Sequence, residues 1–175
     1  MKVILNSKQI EQILEDFAAR IIADSPADVD VAVIGIRSRG EILAQRLSKR
    51  LSEKLGRDVE NGTLDITLYR DDLNSPHSAT QPEVRTTEIG FDIDEKIIVL
   101  VDDVLHTGRS SRAALDALID LGRPRAIKLA VLVDRLGREF PIQADYAGFK
   151  TDIAPGKLVQ VLLFESDGKD EVIVE

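Results

Sequence analysis

Residues 97–111 read Ile97-Ile98-Val99-Leu100-Val101-Asp102-Asp103-Val104-Leu105-His106-Thr107-Gly108-Arg109-Ser110-Ser111. The apolar, largely β-branched run from Ile97 has the length and character of a strand buried on both faces, and the acidic pair ends it abruptly. Beyond it, Thr107 to Ser111 open a helix whose Leu115, Leu118 and Leu121 mark one face until Gly122 and Pro124 stop it. Strand, polar turn and helix in this order build a parallel α/β sheet, and such sheets bind ligands outside the carboxyl ends of their strands. Backbone N–H groups and hydroxyls at a helix N-terminus attract an anion, and Gly108 lets the backbone approach a phosphate closely. Two adjacent carboxylates just upstream can accept hydrogen bonds from a sugar diol, directly or through a hard cation. Phosphate and diol on one turn suggest a ribose 5-phosphate. Taken alone, these residues also fit a plainer reading, in which Asp102 and Asp103 terminate a strand and Ser110 and Ser111 cap a helix.

Working outward, the same unit recurs. Val31-Ala32-Val33-Ile34-Gly35-Ile36 reads as a strand, Arg37-Ser38-Arg39-Gly40 as a polar turn, and Ile42, Leu43, Leu47 and Leu51 as a helix. Upstream, Ile10, Ile13, Leu14, Phe17, Ile21 and Ile22 predict an amphipathic helix capped by Ser7 and ended before Pro26. Asn61-Gly62 predicts a turn before a strand over residues 63–69, and residues 127–133 predict a buried strand ending at Asp134-Arg135. Shorter strands are expected near Tyr146 and over residues 158–164. Residues 71–87 follow neither apolar period, which predicts a loop of the length associated with lids. The fold class expected is α/β, a mostly parallel twisted sheet flanked by helices in a single domain over residues 1–175.

Composition narrows the chemistry. With 175 residues, 43% of them hydrophobic and 31% charged, the chain is long and apolar enough to bury one real core. It contains no cysteine, which excludes a disulfide framework, a thiolate metal site and a cysteine nucleophile, and fits a reducing cytoplasm. His77 and His106 are the only imidazoles, so a bound metal would rely on oxygen ligands. The net charge of −8 repels polyanions except at a local basic face. With five Phe, two Tyr and no Trp, platforms for stacking single-stranded bases are scarce. No apolar run approaches the roughly 20 residues that span a bilayer, and the opening residues are too short for a signal peptide, so no membrane partner is expected. Neither Gly-x-x-x-x-Gly-Lys-Ser/Thr nor Gly-x-Gly-x-x-Gly after a strand is present.

Residues 99–111 resemble the phosphoribosyl pyrophosphate (PRPP) signature of type I phosphoribosyltransferases. More narrowly, Gly35-Ile36-Arg37-Ser38-Arg39-Gly40, Asp65-Ile66-Thr67-Leu68-Tyr69-Arg70-Asp71-Asp72-Leu73, Gly122-Arg123-Pro124 and Leu132-Val133-Asp134-Arg135 resemble the bifunctional pyrimidine-operon attenuation regulator and uracil phosphoribosyltransferase family. The resemblance runs in order over about residues 5–165. It implies a core parallel sheet, a small hood, a flexible lid, a homo-oligomer built from dimers, and Mg²⁺ carried mainly by PRPP rather than by protein ligands. The implied reaction is uracil plus PRPP giving UMP and pyrophosphate. Carried over, the resemblance gives Asp102 and Asp103 the ribose hydroxyls and Thr107, Gly108, Arg109, Ser110 and Ser111 the 5-phosphate, with Val104, Leu105 and His106 counted in the same PRPP-binding stretch. Ser38 and Arg39 match the pyrophosphate loop, with Arg39 stabilising the leaving group alongside the catalytic pair Asp102 and Asp103. Arg70 and Arg85 flank the lid, and Arg135 and the backbone near Val159 match positions that meet nucleotide or base. His106 stands where the family usually has tyrosine and reads as filling space in the turn.

The family's regulatory half implies binding of messenger RNA in a manner sensitive to UMP. Here Leu136-Gly137 replace the usual Gly-His, Gln143 replaces an arginine and Phe149 replaces a lysine. Each change removes a potential donor to RNA, and each lost phosphate contact lowers affinity. Any RNA binding is therefore expected to be weak and mostly nonspecific.

Overall fold

A computed structural model describes residues 1–71, 86–154 and 156–175. The apolar runs read as buried strands form one parallel sheet in the order β3 (Asn61–Leu64), β2 (Val31–Ile36), β4 (Ile97–Leu105), β5 (Ala126–Arg135) and β6 (Tyr146–Thr151). Successive residues of a strand face opposite sides, and the core divides accordingly. Val33, Val99 and Val101 pack with α1 (Ser7–Asp24) and α2 (Arg39–Leu55) on one side, through Phe17, Leu43 and Leu47. Ile34, Ile98 and Leu100 pack with α3 (Arg109–Leu121) on the other, through Ala113, Ala117 and Leu118.

A second, antiparallel sheet orders β1 (Lys2–Asn6), β8 (Glu171–Val174) and β7 (Val159–Leu162), with the short turn of helix α4 (Phe164–Asp167) between β7 and β8. This is the small hood. Charge fastens it to α2, where the Arg46 guanidinium pairs with Glu165 and Asp170 at 2.5 and 2.8 Å. Arg50 and Lys54, further along the same helix, pair with Glu11 and Glu15 of α1.

Several local expectations are corrected. The cap of α1 is Asn6, one residue before Ser7: its side chain accepts the Gln9 N–H while the Gln9 side chain accepts the Asn6 N–H, a reciprocal capping box that Ser7 cannot make. Asp102 and Asp103 do not end the strand, because the long neighbour β5 continues the ladder to Leu105 opposite Asp134. Asn61-Gly62 is not a turn but the start of β3, which pairs with Val33 and Ile34. That strand stops at Leu64 rather than Tyr69, since Asp65 Oδ1 accepts both the N–H and the hydroxyl of Thr67 and folds residues 67–69 into a 3-10 turn. Strands β1 and β8 were not expected. The predicted lid, with Arg85 and His77, lies outside the described residues except at Asp71, Thr86 and Thr87. Among the described residues no helix is long and apolar enough to cross a membrane.

Candidate functional site

A polar cleft of about 290 Å³ opens where the carboxyl ends of β2, β3 and β4 meet, lined by residues from each strand end and by Ser110 of α3. Close packing of glycines brings these ends together. A Cβ on Gly40 would lie 2.5 Å from the Val101 carbonyl oxygen, so the first turn of α2 can rest against β4 only without one. Ser38 precedes that turn, after a cis Arg37–Ser38 peptide, and lines the cleft.

The acidic pair forms the floor. Asp102 is 8% exposed and Asp103 half-buried; the Asp103 N–H donates to Asp102 Oδ1 and the Val104 N–H to Asp103 Oδ1, each at 2.9 Å. Burial first, and then the neighbouring Asp103 charge, hold the Asp102 carboxyl well above the usual carboxylate range. An unfolded aspartate ionises near pH 3.9, so over the window above that value the native state keeps a proton the unfolded chain has released. Stability is therefore lost as pH rises through the folded value. Asp102→Asn removes this penalty and should raise the melting temperature of the ligand-free protein near pH 7, with the gain shrinking toward about pH 4. Paired melting curves across that range check it; an unchanged or lower melting temperature at neutral pH would contradict the burial argument.

Not every residue expected at the site reaches the cleft. Ser38, Arg39, Arg70, Asp102, Asp103, Val104 and Ser110 line it together. The Arg39 guanidinium also faces the hood, donating to the Val161 carbonyl at 2.6 Å and to Asp167 at 3.1 Å, so a pyrophosphate at Ser38 would compete with Asp167 for it. Leu105 and Ser111 are buried away from the cleft, at 2% exposure each, and offer it no side chain. Arg109 turns its side chain out to Glu139 and Asp71, with its guanidinium 5.0 Å from the Phe140 ring centre, leaving only backbone to the turn. Gly108 adopts φ +90° and caps α3, a left-handed conformation that suits glycine. Thr107 accepts the Arg109 N–H through its hydroxyl. His106 is exposed beside Gly137, where a Cβ would lie 2.7 Å from its Nε2; desolvation and the nearby Arg135 push its imidazole below the usual value, toward the neutral form. Arg135 is buried and donates to the Lys157 carbonyl at 3.0 Å, and Val159 is buried in the hood; neither lines the cleft.

Asp65 and Thr67 line the cleft without having been expected as site residues. The available signal was Asp65-Ile66-Thr67 at a strand end, where an aspartate that bonds its own backbone two residues on creates a turn at the ligand-binding edge of the sheet. Among the described residues no cluster of three or more His, Asp or Glu side chains forms a metal cage. Two adjoining hard carboxylates do suit Mg²⁺ shared with the phosphates of a substrate, because that ion keeps few protein ligands. A separate apolar cavity of about 280 Å³, lined by Ile21, Val29, Leu51 and Leu55, has Arg57 as its charged side chain, and Arg57 is paired with Asp30.

The family model for the phosphoribosyl transferase domain matches residues 1–165. Among curated proteins, the Bifunctional protein PyrR of Deinococcus radiodurans is 52% identical over 169 residues, covering 97% of this chain and 91% of that protein. The protein of the same name from Thermus thermophilus is 48% identical, covering 97% and 92%. Among solved structures, the hypoxanthine phosphoribosyltransferase of Trypanosoma cruzi superposes with a TM-score of 0.73 at 18% identity, over 99% of this chain and 95% of that one. A Staphylococcus aureus hypoxanthine phosphoribosyltransferase gives 0.66 at 19% identity, over 90% and 80%. At such identities the two structures speak for the fold alone.

Proposed function

The chain belongs to the phosphoribosyl transferase domain family and has its type I fold, and on that premise we propose that it transfers the ribose 5-phosphate group of PRPP to uracil, releasing pyrophosphate and UMP. The observation that carries this reading is one polar cleft gathering the Ser38 turn, the Asp102–Asp103 pair and Ser110 at the opening of α3. As the bond from the anomeric carbon to pyrophosphate oxygen breaks, positive charge builds on the ribose and negative charge on the leaving group, while uracil N1 closes on that carbon and its proton passes to the departing pyrophosphate or to water. Asp102 and Asp103 accept the ribose hydroxyls and orient the sugar, and the turn over residues 107–111 holds its 5-phosphate through backbone N–H groups. Ser38, Arg39 and Arg70 face the departing pyrophosphate, where preorganised donors stabilise charge as it develops. Asp102 and Asp103 would help hold a Mg²⁺ brought mainly by PRPP, and that ion would supply charge neutralisation on the phosphates. The hood, with Arg135 and Val159 at its junction with the sheet, supplies the base side. No covalent intermediate is required, so a chain without cysteine suffices.

The test is pyrophosphate release with PRPP, Mg²⁺ and each of uracil, orotate, hypoxanthine and adenine. Uracil alone should support turnover. Use of a purine but not uracil would overturn the base assignment and leave a phosphoribosyltransferase of different specificity.

The relatives carry the name Bifunctional protein PyrR, and a regulatory RNA-binding role is the second reading. Phe149 packs against the core rather than offering a donor. Arg138, within the same segment, spends its guanidinium on internal acceptors. We therefore expect weak, mostly nonspecific RNA binding without coupling to UMP. Competition between a pyrimidine-operon leader hairpin and a scrambled one at physiological salt checks this. A leader preference above about tenfold, worth roughly 1.4 kcal/mol, and strengthened by UMP would promote the regulator reading.

A further inference from the structure

Arg138 lies in the segment that leaves β5 and runs beside the turn between β4 and α3. Its guanidinium meets four acceptors: Nε donates to the Ile142 carbonyl at 2.8 Å, one terminal nitrogen to the carbonyls of His106 and Arg135 at 2.6 and 3.1 Å, and the other to Asp134 Oδ1 at 2.5 Å. The neighbouring Glu139 and Phe140 N–H groups both donate to the Thr107 carbonyl, at 2.9 and 3.0 Å. Phe140 closes the arrangement, since a Cβ on Gly108 would lie 3.2 Å from its Cβ. In a planar trans peptide the carbonyl and the following N–H point in opposite directions. Drawing the His106 and Thr107 carbonyls toward Arg138 and its neighbours therefore aims the Thr107 and Gly108 N–H groups away from that segment.

We propose that Arg138 is a positioning residue for the phosphate-holding turn: it touches no substrate, and it fixes the direction of the backbone N–H groups that bind the 5-phosphate. This rests on the function proposed above. The role needs a planar fork reaching several acceptors at once, which a lysine ammonium on its flexible stem does not supply. Charge at position 138 is then insufficient, and geometry is what matters. The pyrophosphate end of the cleft, built by Ser38 and Arg39 on α2, has no bond to Arg138 and should be indifferent to it.

Binding of UMP and of inorganic pyrophosphate with Mg²⁺, by calorimetry, to wild type, Arg138→Gln and Arg138→Lys separates these roles, together with amide hydrogen exchange of the ligand-free proteins. Both variants should lose UMP affinity by about tenfold or more, as misplacement of a binding element can cost on the order of 100-fold, while pyrophosphate affinity stays within about twofold. Exchange should quicken over residues 106–109 while residues 97–101 stay protected. Unchanged UMP affinity, equal loss of both ligands, rescue by lysine, or a variant that fails to fold would each overturn the positioning role. Wild type that binds neither ligand would instead overturn the proposed function, and the exchange comparison would still decide whether Arg138 fixes the turn.

Discussion

Replacing Asp102 and Asp103 together with asparagine should abolish Mg²⁺-dependent PRPP binding while the protein stays folded. Both parts follow from the floor of the cleft. Hydrogen bonds to charged groups contribute about 1.5–3 kcal/mol each, so losing two carboxylate acceptors costs at least about 100-fold in affinity before any loss of shared Mg²⁺ is counted. Folding does not need the charges. Asparagine keeps an Oδ1 to accept the N–H groups of residues 103 and 104, and removing the buried ionisable carboxyl at position 102 relieves the penalty the native state carries as pH rises. Calorimetry with PRPP and Mg²⁺ on the folded double variant checks this; wild-type affinity would mean that the acidic pair ends a strand and does nothing more.

The second large effect comes from Gly35→Ala. An ideal Cβ at Gly35 would lie 2.3 Å from the Gly40 carbonyl oxygen and 2.6 Å from the Glu41 Cα, both backbone atoms of the first turn of α2. Neither can step aside as a side-chain tip would. The helix must back away from β2, at a cost of about 3 kcal/mol, which for a domain of this length lowers the melting temperature by roughly 6–12 °C. Because that turn follows Ser38 and contains Arg39, transferase activity should fall well beyond the fraction unfolded. Gly90→Ala, where a Cβ meets nothing within 4 Å, is the control and should change stability by less than about 0.5 kcal/mol. A Gly35→Ala variant as stable and active as this control would show that the contact between β2 and α2 does not set the site.

The central sheet was legible because its strands are buried on both faces, so β2, β4 and β5 stand out as unbroken apolar runs. The hood was not legible in the same way. Strand β1 has a single buried residue, Leu5, and β8 is four residues long, so neither carries a periodic signal strong enough to separate it from a loop; only pairing with each other and with β7 makes them strands. Asp102 and Asp103 look like a strand end by composition, yet ladder bonds to β5 carry the strand past them. Side chains were harder still. The resemblance led to the expectation of Arg39 and Arg109 beside phosphates, but which acid each meets depends on elements distant in the chain: Asp167 for Arg39, Glu139 and Asp71 for Arg109. Asp65 was hidden because its work is local, folding the 3-10 turn that brings Thr67 to the cleft.

That the cleft at the ends of β2, β3 and β4 is the nucleotide site is tested most directly by amide chemical-shift mapping during titration with UMP. The account predicts saturable shifts concentrated in residues 36–39, 65–67 and 102–111, with the apolar cavity around Ile21, Val29 and Leu51 unmoved. Shifts centred on that cavity, or none in the cleft at saturating nucleotide, would contradict it.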